Sequence, residues 1–99
     1  GLGSPISVHF AEANDALDRA RSHVGKTVQR LDAKNCVGAL NELLQAKAQF
    51  ARAQANVTGA GGPSMLSPRQ TAGMAEGAKK VAHAEVLYKR VCRNCAGCR

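Results

Sequence analysis

Aromatic side chains are nearly missing: two phenylalanines, one tyrosine and no tryptophan in 99 residues. That rules out a core built on large rings, and it leaves no row of aromatics on which nucleic-acid bases could stack. Acidic residues are also scarce, 7 against 14 lysines and arginines. No run approaches the roughly 18 apolar residues of a membrane-spanning helix, and no secretory leader is expected. Also absent are paired catalytic acids, a Ser/His/Asp set and a glycine-rich phosphate loop in a suitable context. A thin helical domain offers little volume for a pocket, so an enzyme is not expected.

What the chain does have is alanine, charge and cysteine. Small apolar residues permit close helices but bury little area each, so such a domain gains from a covalent or metal staple, or from a partner. The net charge of +7 is uneven: residues 1–68 carry seven basic and five acidic groups, residues 69–99 seven and two. A basic end attracts nucleic acid, acidic proteins or anionic headgroups through its long-range field. The chain starts GLGSP without methionine. The expectation is a processed chain, in which Gly1–Ser4 carry no structural weight.

Helical periodicity defines three segments. The first, residues 5–31, places Ile6, Phe10, Ala13, Leu17, Ala20, Val24, Val28 and Leu31 on one seam, with Ser4 and Pro5 suited to its start. Asp32–Asn35 reads as a corner whose Asp and Asn could cap the next helix. The second, residues 33–57, carries Cys36, Leu40, Leu43, Ala46 or Lys47, Phe50, Ala53 and Val57, with Leu44 widening the stripe. Residues 58–67, TGAGGPSMLS, form a loop in which Met65 and Leu66 dock on the bundle or await a partner. Ser67-Pro68-Arg69-Gln70 is a capping box with a first-turn proline. The third helix is expected over 68–95, with Met74, Ala78, Val81, Ala84, Tyr88, Val91, Cys92 and Cys95 inward and Gly97 as its terminal cap. A single all-α domain follows, an antiparallel three-helix bundle; the alternative is a long helical hairpin plus a third helix completed by a partner.

Up-down-up connectivity brings the end of the first helix, the start of the second and the end of the third to one pole. Cys36, Cys92, Cys95 and Cys98 therefore converge, with His23 within about two turns. The leading interpretation is two disulfides, Cys36 to Cys92 or Cys95 and a local bridge in the tail; closing a loop of ~60 residues stabilises by roughly 4 kcal/mol. The alternative is a zinc or iron–sulfur site through Cys36, Cys92, Cys95 and Cys98, with Arg90, Arg93 and Arg99 favouring thiolates. A third possibility is four packed thiols without further role. A catalytic C-x-x-C is disfavoured because this one ends a helix, where the dipole opposes a thiolate.

Gly25-Lys26-Thr27 resembles the end of a phosphate loop, but the required earlier glycine is Ala20 and no strand precedes it. The simpler interpretation is a helix turn, with Gly25 permitting close packing. Lys79, His83, Arg90 and, less squarely, Arg93 form a stripe opposite the core face of the third helix, flanked by Lys80 and Lys89. That stripe could follow a phosphate backbone or simply be a solvated face. Glu85 falls near the inward face, where an edge position with its carboxylate in water is expected. His9 and His83 are expected at the surface. Asn56-Val57-Thr58 matches a glycosylation sequon.

The function expected from these features is a non-catalytic structural or assembly module. It would be a basic bundle that docks into a larger complex through Lys79, Lys80, His83, Lys89, Arg90, Arg93, Met65 and Leu66, with no cofactor. Nucleic-acid binding through the third helix is the alternative, and metal or iron–sulfur binding the second. Disulfide use favours an extracytoplasmic, luminal or virion setting.

Overall fold

A computed structural model describes residues 5–98. Gly1–Ser4 and Arg99 lie outside the described residues, and with them the expected Ser4 cap and any role of Arg99. The elements are α1 (Pro5–Asp32), α2 (Cys36–Gly59) and α3 (Pro68–Val91), with short 3-10 turns at Pro63–Met65 and Ala96–Cys98. They form an antiparallel three-helix bundle measuring 52 × 23 × 19 Å, with no strand among the described residues. Helices α1 and α2 pack along their length, and α3 lies against both.

The core is thin, as the composition implies. Eight of its fourteen buried apolar residues are alanines, so axes come close but each contact buries little. Larger side chains gather in two clusters. One holds Ala16, Leu17 and Ala53 with Phe50 and Met74 against them. The other, at the cysteine pole, holds Leu31, Ala39 and Cys92, with Leu87, Tyr88, Cys36 and Cys95 around them.

The seams depart from expectation at several positions. On α3 Gly77 is buried whereas Ala78 is exposed, and Leu87 packs inward whereas Val91 is exposed. Glycine does not register as apolar, yet here its missing side chain makes the closest approach: a Cβ at Gly77 would stand 2.5 Å from Leu17 Cδ1 and 3.3 Å from Phe50 Cε2. Leu44 does not widen the α2 stripe and is 53% exposed. Gly25, expected to permit close packing, faces open space. Thr27 is fully buried on α1, its hydroxyl donating to the His23 carbonyl at 2.8 Å, so the polar atom inside the core is satisfied.

Helix ends explain the shifted boundaries. The start of α2 moves from the expected residue 33 to Cys36 because α1 ends in a Schellman motif. Asn35 N–H donates to the Arg30 carbonyl at 2.8 Å, Lys34 N–H donates to the Leu31 carbonyl at 3.0 Å, and Lys34 takes φ 59°. Asn35 then caps α2, its Oδ1 accepting from Gly38 N–H at 2.9 Å. The same motif closes α2, with Gly62 N–H on the Val57 carbonyl, Gly61 N–H on Thr58 and Gly61 at φ 114°. Glycine adopts that backbone freely; lysine does not. Replacing Lys34 by glycine is therefore expected to raise stability by about 1 kcal/mol, read as a higher urea midpoint at unchanged m-value.

The capping box at α3 forms as the sequence implies. Ser67 Oγ accepts from Gln70 N–H at 3.1 Å and Gln70 Oε1 accepts from Ser67 N–H at 2.8 Å. The far end of α3 is shorter than the expected residue 95. It stops at Val91, Cys92 leaves helical geometry at φ −111°, and Gly97 falls in the 3-10 turn rather than capping a helix. The chain turns there so that Cys92 meets Cys36.

Candidate functional site: the cysteine pole and its cations

All four cysteines meet at one pole. Cys36 opens α2 and Cys92 caps α3; they are joined by a disulfide with Cα atoms 5.8 Å apart. Cys95 and Cys98 are bridged within the tail, Cα atoms 5.4 Å apart. This is the disulfide arrangement among those expected, with Cys92 rather than Cys95 as the partner of Cys36. Every sulfur is paired, so in this oxidised form no thiolate is left to ligate zinc or an iron–sulfur cluster. The small cluster around Leu31 and Ala39 packs directly beneath the bridge.

The pole is also where positive charge accumulates. Away from it, Arg69 and Lys79 enter no salt bridge among the described residues, but the other cations are matched to carboxylates. Arg52 meets Glu12 at 2.9 Å, Arg19 meets Asp15 at 3.2 Å, Arg21 meets Asp18 at 3.3 Å, and Lys80 meets Glu76 at 3.5 Å. Lys47 of α2 pairs with Glu85 of α3. Among the described residues, Lys26, Arg30, Lys34, Lys89, Arg90 and Arg93 enter no salt bridge, and all lie on the turns nearest the disulfides. Asp32 is the carboxylate among them outside a pair. Exposed pairs elsewhere add little stability, but they cancel the field over the rest of the bundle.

Lys34, Arg90 and Arg93 converge on an open cleft of about 670 Å³, together with the amides of Asn35 and Asn94. The Cys36–Cys92 bridge, Val37 and Val91 line the same cleft, and no carboxylate does. Helical periodicity does not mark Lys34. It joins the arginines only because the Schellman turn at the end of α1 folds it beside the start of α2. The remaining basic candidates are exposed on α3, but Lys79 and His83 lie farther along the helix, and Lys80 is engaged with Glu76. Met65 and Leu66 sit at the opposite end of the bundle, where Met65 is exposed and Leu66 lines a separate groove. The expected contact residues thus fall into two places rather than one surface.

Several polar contacts across helices escape a reading along one helix. His23 Nδ1–H donates to Glu42 Oε2 at 2.7 Å, both side chains being mostly buried. A carboxylate only accepts, which fixes the imidazole proton on Nδ1. His9, expected at the surface, is half-buried and donates from Nδ1 to Asn56 Oδ1 at 2.9 Å, while Asn56 Nδ2 donates to the Arg52 carbonyl. The sequon asparagine therefore lies inside α2 with its amide engaged. Glu85 sits at the bundle edge, as its spacing implies. The hydrogen bond from Lys47 holds its carboxyl below its ordinary value against the opposing effect of burial, and the charges of Lys47 and Lys89 add to the lowering.

No family model, curated protein or solved structure matches this chain. Its class rests on its own coordinates, which define an all-α, disulfide-bonded three-helix bundle.

Proposed function

We propose that this chain is a non-catalytic docking module that enters a larger assembly through its basic, disulfide-bonded pole. The observation that carries this is the segregation of unpaired cations at that pole. Among the described residues six of them have no salt bridge there, while elsewhere on the bundle every cation but Arg69 and Lys79 is neutralised by a carboxylate. Holding like charges together costs energy, and an acidic partner surface would offset it while orienting the encounter. Val37 and Val91, 46% and 42% exposed, give the same patch the apolar contact area that specific docking needs. The disulfide fixes the ends of α2 and α3 and hence the spacing of Lys34, Arg90 and Arg93.

The test compares Lys34→Glu/Arg90→Glu/Arg93→Glu with a variant of equal net charge, Arg19→Glu/Lys47→Glu/Arg52→Glu, in pull-downs from the cells that make the chain. The expected result is a protein partner retained by wild type and by the control, lost by the pole variant, and unaffected by nuclease. Equal retention by both variants contradicts the proposal. Retention that nuclease abolishes replaces it with nucleic-acid binding, which would also collapse with added salt.

A further inference from the structure

At the far end from the cysteines, α1, the end of α2 and the start of α3 border a groove of about 580 Å³. Phe10 and Leu17 of α1, Val57 of α2, Leu66 just before α3 and Met74 within it supply its apolar side chains. Arg21 and Arg69 line it as well, and no carboxylate does. Neither arginine is well satisfied. Arg69 is exposed and enters no ion pair among the described residues. Arg21 Nε is shut from solvent without a hydrogen-bond acceptor, its nearest carboxylate oxygen being Glu76 Oε1 at 3.7 Å. Its other contacts, to Asp18 at 3.3 Å and to the Gly73 carbonyl at 3.4 Å, exceed the usual 2.9–3.0 Å.

An unfilled groove of mixed polar and apolar lining costs the packing its walls would otherwise gain, and a guanidinium whose buried Nε–H makes no hydrogen bond costs more again. One ligand chemistry answers both. We propose that this groove binds a monocarboxylate with an unbranched hydrocarbon tail, the carboxylate at Arg21 and Arg69 and the tail along Phe10, Leu17, Leu66 and Met74. The size is that of a small-ligand site, on the order of 300–1,000 Å³. The site is independent of the docking pole and of the proposal made for it.

Gly73 supplies a selective block. A Cβ there would meet only Arg21 Nη2 at 3.7 Å and Leu17 Cδ2 at 3.8 Å, ordinary contacts. A longer side chain would project into the groove while improving helix propensity. The experiment titrates the oxidised protein with decanoate below its micelle concentration, monitored by amide shifts, alongside decanol, acetate and phosphatidylglycerol vesicles. The expected result is saturable decanoate binding with shifts clustered around residues 66–74, at least tenfold weaker binding of decanol and none of acetate. Gly73→Leu should abolish binding without lowering the melting temperature, and Arg69→Glu should weaken it severalfold. If Gly73→Leu lowers the melting temperature, Arg69→Glu decides alone. No saturable decanoate binding, or binding untouched by both variants, overturns the proposal. Vesicle binding without a response to free decanoate overturns it in favour of a lipid surface.

Discussion

Removing the Cys36–Cys92 bond, as Cys36→Ala/Cys92→Ala, is expected to cost about 4 kcal/mol. The bond closes a loop with a sequence separation of 56. In the chain-entropy model that restriction of the unfolded state accounts for the whole figure. Folded domains of this kind hold only about 5–15 kcal/mol in total, so the loss is a large fraction of the margin. The thin core makes it larger still in relative terms, because eight alanines among fourteen buried apolar residues supply little to compensate. Cys95→Ala/Cys98→Ala is the contrasting case. Its bridge spans a separation of 3 and closes only a turn, so the same model gives at most about 2 kcal/mol. Urea unfolding of the two double variants separates them: a far lower midpoint for the first and a small shift for the second. Equal midpoints would show that the long-range bond is not what holds the pole.

The second large effect lies in the other cluster. Leu17 is 6% exposed and packs with Ala16, Ala53, Phe50 and Met74, so Leu17→Ala should destabilise by about 3 kcal/mol. Gly77→Ala alone should cost about 1 kcal/mol, because the gain in helix propensity is outweighed by the methyl meeting Leu17 Cδ1. The sign should reverse when both are changed. With Leu17 truncated, the methyl at 77 enters vacated space and stabilises, giving a coupling of about 2 kcal/mol. Additive losses would mean that α3 does not approach α1 and α2 at Gly77.

The backbone path was largely legible in the sequence. Apolar spacing gave three rods, Ser67–Gln70 gave a start that forms atom for atom, and alternating direction brought Cys36 to the tail. What was not legible depends on contacts between elements. Gly77 reads as a poor helix residue until Leu17 and Phe50 stand over it. Lys34 reads as an ordinary corner lysine until the Schellman turn sets it beside Arg90 and Arg93. The His23–Glu42 and His9–Asn56 contacts join positions 19 and 47 apart, which no single-helix pattern reveals. The groove at Arg21 is lined from α1, α2 and the start of α3 together, which no single-helix motif reveals. Cysteine pairing fell between these cases: the pole was derivable, but Cys92 was favoured over Cys95 only by where α3 ends.

The disulfide map of the native protein tests this arrangement most directly. Trypsin cuts after Lys34 and Lys47, and after Arg90 and Arg93, so it separates Cys92 from Cys95 and Cys98. Mass analysis without reduction should find peptide 35–47 linked to peptide 91–93, and peptide 94–99 alone, two hydrogens lighter than its reduced form. Peptide 35–47 linked instead to 94–99, or free thiols throughout, would contradict it.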